Sequence, residues 1–433
     1  MATYTLPVKK SDERGYLRLA FDVPADTERI DVSTAYRASA TVREGGFTVA
    51  REHCVIDLAL EAPDGRLFGA AGSDRTHIFV SPLGSSAGFL AAELPAGRWR
   101  VVAGAYHVPE GGADVTCEIT LTPKKRRLFR GDTHAHTNAS DGALSLGTLA
   151  DVAAQAGLDY LFITDHNNVS ATPHRDDITL LPGVEWTHYQ GHAGFLGIDA
   201  PLAGRYDTRS AEESARLMQA ARDGGALVSL NHPFCPLVPW LWPLDLPHDA
   251  LEVWNGVMSE RNERAVAHWH AALVKGLRIV ALGGSDYHRP GLFGSIATPC
   301  TMVYAPSRSR ADLLAALKRG DCIVSYQANG PVADVDCRAD GAPVSFGGAA
   351  ERGAEVTFFF THLRGGDEIR LITDLGAESV PCPQGTTEAE VARRYPGARF
   401  VRAEVMRVYA PGLPPMRAML TNPIYFGEEE EAI

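Results

Sequence analysis

Residues 134–141 of this 433-residue chain carry two alternating histidines and a carboxylate, in the run Thr133-His134-Ala135-His136-Thr137-Asn138-Ala139-Ser140-Asp141. On a strand, His134 and His136 point to the same face, because side chains alternate with period two. Two imidazoles at a strand end, with Asp141 on the loop beyond, make half of a divalent-metal site. An isolated HxH is more often a pair of packed or surface histidines. Here, however, eleven of the fifteen histidines fall between His134 and His288, where uniform scatter would place roughly five or six.

Several of these residues follow directly on apolar runs. Tyr160-Leu161-Phe162-Ile163 leads into Thr164-Asp165-His166, and Leu180-Leu181-Pro182-Gly183-Val184 ends on Glu185, with His192 shortly after. Ala226-Leu227-Val228-Ser229-Leu230 ends in Asn231-His232-Pro233, and Ile279-Val280-Ala281-Leu282-Gly283-Gly284 ends in Ser285-Asp286-Tyr287-His288. Ligand-type residues at the C-terminal ends of successive strands are what a barrel with its site at one mouth presents. Helical patterns lie between the runs. One covers 145–156 and stops at Gly157; another opens on a Ser210/Glu213 capping box and ends near Gly224-Gly225. Further helices are expected over 259–275 and, after Ser309 and Asp312, over 313–318. The alternation argues for a parallel α/β barrel.

The series HxHT…SDG, ITDHN, GVE…GH, NHP and GSDxH, spread over residues 130–326, resembles the PHP (polymerase and histidinol phosphatase) family, and within it the branch containing carbaryl hydrolase. The resemblance implies a distorted (β/α)7 barrel holding two or three divalent ions. Carried over, His134, His136, Glu185 and Asp286 surround the first ion. Glu185 bridges to a second held by His192 and His232, and Asp141, His166 and His288 take the third. His188 is near enough to stand in for His192. Imidazole and carboxylate ligands suit zinc, manganese or iron.

No nucleophilic serine or cysteine sits in a triad-like setting, so the expected attacking group is a metal-bound hydroxide, with Glu185, Asp286 and His288 as the catalytic residues. Three carboxylates against three divalent cations leave a surplus of about three positive charges, which favours a phosphoester; two cations leave about one, which admits a carboxyl ester or aryl carbamate. A barrel that only binds metal or sugar is the third reading. Arg289 and Arg261 are candidates to grip a substrate anion. The proline-broken run 234–244, with Trp240 and Trp242, either walls a pocket for an aromatic group or packs on neighbouring structure. Asp165 either orients a ligand imidazole or satisfies backbone amides.

Residues 1–122 read as an all-β sandwich or jelly-roll-like module, 128–328 as the barrel, and 331–426 as a small second β-domain in which helix signal persists only near 387–395. The run 427–433 is an acidic end expected to be disordered. Lys124-Lys125-Arg126-Arg127 reads as a solvated linker, and the net charge of −12 argues against a nucleic-acid polymer as partner. Seven cysteines without a CxxC fit reduced thiols in a cytoplasm. No apolar leader and no stretch of about eighteen apolar residues is present, so no membrane partner is expected. The partners expected are a small anionic substrate and, through the β-domains, a second copy of the chain.

Overall fold

The computed structural model describes residues 1–201, 206–291 and 294–427; the acidic end at 428–433 lies outside them. It divides into two compact units, Met1–Lys125 and Arg126–Ile433. The first has two main antiparallel sheets, one of five strands and one of four, and a two-stranded hairpin of Ser39–Glu44 and Phe47–Glu52. Alternation along Thr27–Ala35, Val55–Glu61 and Gly97–His107 sends Ile30 and Val32 of one sheet and Leu58, Leu60, Trp99 and Val101 of the other into a shared core. Two sheets closing over one apolar layer make a sandwich.

The second unit is a mixed α/β fold with four α-helices among its described residues. Its elements begin β1 (Arg127–Asp132), α1 (Leu146–Gln155), β2 (Tyr160–Ile163), β3 (Thr179–His188), β4 (Gly191–Leu196), α2 (Ala211–Asp223), β5 (Leu227–Asn231), β6 (Ala250–Asn255), α3 (Glu260–Val274), β7 (Val280–Gly284), β8 (Cys300–Ala305), α4 (Arg310–Arg319) and β9 (Cys322–Ser325). Ser145, Ser210 and Ser309 cap three of the helices, each accepting from the backbone amide three residues on. Strands β1 to β7 are neighbours in chain order: β1, β2 and β3 run parallel, as do β5, β6 and β7, while β4 is antiparallel to both its neighbours. The sheet curls until its ends meet. A parallel bridge joins Ala135 to Tyr287, with Asp286 N donating to His134 O at 2.9 Å and His136 N to Tyr287 O at 3.0 Å. Of the expected distorted (β/α)7 barrel, the unit shows a mixed α/β fold with a curled sheet; β3 and β4 are joined by a hairpin, and loops rather than helices follow β2, β5 and β7.

After β9 part of the chain continues the same sheet, and part forms a separate three-stranded sheet in the order Val332–Asp336, Glu355–Thr361, Ala389–Arg394. The strands β10 (Glu355–Thr361), β11 (Glu368–Thr373), β12 (Ala389–Arg394), β13 (Phe400–Arg407) and β14 (Met416–Thr421) follow, and β9 pairs with β14, which pairs with β13 and through it with β11. Phe358, Phe360, Val401 and Val405 share a core with Leu149, Leu161 and Met302. The boundary read near residue 330 thus falls inside one compact unit. The helix expected near 387–395 is instead strand β12, paired antiparallel with β10 and burying Val391; cross-strand pairing overrides helical propensity here.

Asn422 fastens this extension to β7. Its Oδ1 accepts from Ala281 N at 2.8 Å, and its Nδ2 donates to Ala281 O at 3.0 Å and Cys322 O at 3.1 Å. Asn422→Ala would take the acceptor from buried Ala281 N and a donor each from buried Ala281 O and Cys322 O. We expect it to lower unfolding stability by about 3 kcal/mol in urea titrations.

Asp321, between α4 and β9, is buried with Arg126 Nη2 3.4 Å away. Burial pushes its carboxyl up to about 6, more than Arg126 offsets. A raised folded-state pKa means the folded form binds the proton more tightly, so the associated stability is present below about pH 4 and is lost as pH rises through about 6. Asp321→Asn is therefore expected to be more stable than wild type above pH 7, by about 3 kcal/mol in urea titrations, with the gap closing near pH 4.

Candidate metal centre

Where the curled sheet closes, ten side chains converge: His134, His136, Asp141, His166, Glu185, His192, His232, Glu252, Asp286 and His288. His134 and His136 flank the bridging residue Ala135 in extended chain, so both point inward, and their Nε2 atoms lie 3.1 Å apart. His166 follows β2, Glu185 and His192 face each other across the β3–β4 hairpin, His232 follows β5, and Asp286 and His288 follow β7. Two of these positions, His232 and Asp286, have left-handed backbone (φ 29° and 54°). Non-glycine residues hold such conformations only where their surroundings impose them, commonly at functional sites.

Glu185 is the hub. Its Oε1 lies 3.1 Å from His134 Nε2, 3.1 Å from His232 Nε2 and 3.3 Å from His192 Nδ1, and it accepts from Asn231 Nδ2 at 3.0 Å. Its Oε2 lies 3.0 Å from His166 Nδ1 and 3.6 Å from His136 Nε2. Asp286 Oδ1 sits 3.3 Å from His134 Nε2, 3.2 Å from His136 Nε2 and 3.5 Å from His288 Nδ1. Asp141 Oδ1 lies 3.4 Å from His166 Nε2 and 3.2 Å from His288 Nε2. The cage is graded in depth. Glu185 and His136 are fully buried, His166, His288 and Asp286 are about a quarter exposed at the side chain, and Asp141 is 55% exposed. Its open side is therefore the one lined by Asp141, His166 and His288.

Of the three expected ligand groups, His134, His136, Glu185 and Asp286 form one cluster, and Asp141, His166 and His288 another, with His136 added. The remaining two split: His192 groups with Glu185 and His166, and His232 with His134 and Glu252.

Glu252, which the sequence reading passed over, accepts from His134 Nδ1 at 2.9 Å through Oε1 and from His232 N at 2.8 Å through Oε2. A carboxylate on Nδ1 fixes the tautomer and turns Nε2 into the cage as a lone pair. His288 is set the same way, its Nδ1 donating to Asp286 O at 2.8 Å. A lone carboxylate inside the apolar run Ala250-Leu251-Glu252-Val253-Trp254 was the available signal. Asp132, fully buried, accepts from His134 N, Ser285 N and Ala297 N and so pins both ends of the closure. Gly284 allows the close packing: a Cβ there would meet His134 Cβ at 2.4 Å and Glu252 Oε1 at 2.7 Å. Gly284→Ala is expected to displace His134 and weaken metal uptake about 10-fold or more, measured by metal titration.

The electrostatics ask for a cation. Burial pushes Glu185 up, but the histidines around it, His134 foremost and then His166 and His192, outweigh it and hold its carboxyl well below the usual range. Burial likewise disfavours charge on His232, yet Glu185, Asp286 and Glu252 raise it to about 9. Glu185 Oε2, Asp286 Oδ1 and His192 Nδ1 are buried without a hydrogen-bond partner among the described residues. Buried carboxylate oxygens without donors are costly unless a positive charge faces them. The donor set, nitrogen and oxygen with lone pairs directed inward, fits divalent ions.

The other candidate residues lie outside the cage. His188 donates from Nε2 to Thr208 O at 2.9 Å, accepts at Nδ1 from Gln190 N, and stands between Trp186 and Trp242, so both its nitrogens are engaged away from Glu185. Trp240 is buried against Gly191, where a Cβ would come within 2.7 Å of its ring, and Leu241 N donates to Gln190 O. The run 234–244 therefore braces the hairpin carrying Glu185 and His192, with Trp242 half-buried beside His188. Arg289 is exposed next to His288. Arg261 donates to Asn255 rather than facing the cage. Asp165 accepts from Thr137 N, Thr137 Oγ1, Ser140 Oγ and Ser170 Oγ, so it shapes the loop between His136 and Asp141 and touches no imidazole. All seven cysteines are buried free thiols, and no described helix is long and apolar enough to cross a membrane.

No family model matches the chain. Over 80 residues it is 39% identical to the 5'-3' exoribonuclease Rnm of Salmonella typhimurium and 38% identical to that of Escherichia coli, a stretch covering 16% of this chain and 27% of each relative. The chain thus spans about a quarter of the length of the curated relatives it matches. Among solved structures it is similar to a two-domain protein from Bacteroides vulgatus containing a predicted PHP-like metal-dependent phosphoesterase, at 17% identity over 67% of this chain and 95% of that one, with a TM-score of 0.38. It is also similar to an amidohydrolase from Chromobacterium violaceum, at 20% identity over 38% and 90% of the two chains, with a TM-score of 0.27.

Proposed function

We propose that this chain is a metal-dependent hydrolase of phosphate esters on a PHP-type barrel. The observation that carries the reading is the convergence of ten ligand-type side chains on a buried hub, Glu185, whose carboxylate and that of Asp286 each keep a donorless oxygen. Glu252 revises the charge count. Four carboxylates (Asp141, Glu185, Glu252 and Asp286) face the cage, so three divalent ions would leave two positive charges, matching a dianionic phosphate. The likeness to Rnm over 80 residues, by name an exoribonuclease, supports a phosphodiester within that class.

His134, His136, Glu185 and Asp286 would hold an inner ion, Glu185 with His192 and His232 a second, and Asp141, His166 and His288 one at the open side. When bound, such ions polarise a phosphoryl oxygen and bring the pKa of water to about 7. Glu252 and the carbonyl of Asp286 keep His134 and His288 in the tautomers that present Nε2 to the cage. Asp165 holds the 137–140 loop, and with it Asp141, at the rim where substrate enters. His288, a quarter exposed beside Asp141, would hold the ion they share on the side of the cage open to substrate. Arg289 is the rim cation available to a substrate anion.

The four carboxylates also leave room for a second reading. If only two divalent ions bind, the four carboxylates leave the site neutral, and an uncharged carboxyl ester or aryl carbamate becomes the better substrate. The test is metal analysis of the purified protein with turnover of p-nitrophenyl phosphate, bis-p-nitrophenyl phosphate, a 5'-phosphorylated RNA oligonucleotide and an aryl carbamate, each with manganese and with zinc. Three equivalents with phosphoester turnover support the proposal. Two equivalents with cleavage of the carbamate alone replace it with the second reading.

A further inference from the structure

Asn255 closes β6 and is fully buried. Its Nδ2 lies 3.1 Å from Glu252 Oε2 and 3.4 Å from Asp286 Oδ2, and its Oδ1 accepts from Arg261 Nη2 at 2.9 Å. A guanidinium has donors and no acceptor, so only the amide oxygen can face it. The orientation of the amide is thereby decided, and its two N–H bonds must point at the two carboxylates. Arg261 is itself fixed, with Nη2 also 3.3 Å from Asn255 O and Nη1 3.5 Å from Cys235 Sγ, three residues beyond His232. Asn262, in the same first turn of α3, donates to Asn255 O and accepts from Asn255 N.

What this arrangement controls is which oxygens reach the cage. Asp286 gives Oδ2 to Asn255, which leaves Oδ1 turned toward His134 and His136 without a donor. Glu252 gives Oε2 to Asn255 and His232 N, which leaves Oε1 for His134 Nδ1. One amide therefore aims both an inner ligand carboxylate and the carboxylate that orients an inner ligand imidazole. It also separates two negative charges that would otherwise lie side by side.

We infer that Asn255, locked by Arg261, is the positioning residue that sets the affinity of the inner metal position formed by His134, His136, Glu185 and Asp286. The inference rests on the metal reading above and assigns Arg261 a role toward metal rather than toward substrate. Loss of partners of this kind lowers metal affinity by about 10- to 100-fold.

The experiment is calorimetric titration of Mn²⁺ and of Zn²⁺ into chelator-treated full-length protein, with metal counts by mass spectrometry and melts of the metal-free forms. Asn255→Ala should raise the Kd of the tightest ion 10- to 100-fold. Arg261→Gln should weaken it as well, with Arg261→Lys closer to wild type because one donor is kept. Arg261 is only half-buried, so its variants keep the test open if Asn255 variants fail to fold. Wild-type affinity and count in Asn255→Ala and Arg261→Gln would overturn the inference and leave the metal reading standing. A wild-type protein that takes up neither ion would overturn both.

Discussion

Replacing Glu185 with glutamine is expected to cut kcat/KM by about 10³-fold or more and to remove at least one equivalent of bound metal. The side chain is fully buried, and its two oxygens lie within 3.6 Å of nitrogens from five histidines. Glutamine keeps the shape but removes the charge, and it turns an N–H₂ toward imidazole lone pairs that need a cation. The change therefore fails electrostatically even where it fits sterically. Steady-state turnover and metal analysis of the same preparation check it. Full metal content with more than a tenth of wild-type activity would contradict the central place given to Glu185.

Stripping the metal should be felt as strongly by stability as by turnover. A ligand present at a thousand times its Kd adds about 4 kcal/mol to the folded state, and each kcal/mol moves the melting point of a domain of this class by roughly 2–4 °C. Chelation is expected to lower the melting of the Arg126–Ile433 unit by about 10 °C and metal re-addition to restore it. Any separate transition of Met1–Lys125 should stay in place, since all ten ligand residues lie outside it. Without an ion the cage must take its positive charge from protons, as the raised His232 shows. Scanning calorimetry with and without chelator reads both transitions. A chelator-insensitive melt would mean that the cage is not a metal site.

The histidines of the cage were legible because most of them, His192 excepted, sit at the end of an apolar run, where type and spacing are local properties of the chain. The helices over Ala211–Asp223 and Glu260–Val274 were legible for the same reason, from capping serines and glycine stops. Glu252 and Asn255 were not, because their meaning lies in partners such as His134, 118 residues away from Glu252. Strand β4 is buried along its whole length, so no alternation marks it or its antiparallel direction. The extension beyond residue 330 read as a separate domain because its strands carry their own turns. What joins it to β7 and β9 is a set of backbone pairings and one asparagine side chain, Asn422, that composition does not reveal.

The gradient of burial from Glu185 out to Asp141 bears on how such a protein is prepared. An ion seated among His134, His136 and Glu185 is surrounded by buried side chains, whereas one at Asp141 is held by a side chain 55% exposed. Inner ions would exchange slowly and keep a record of the growth medium, while the rim ion would equilibrate with each buffer in turn. Two batches of identical sequence could then differ in activity through their histories alone, and preincubation time, rather than metal concentration, would be the variable that reconciles them.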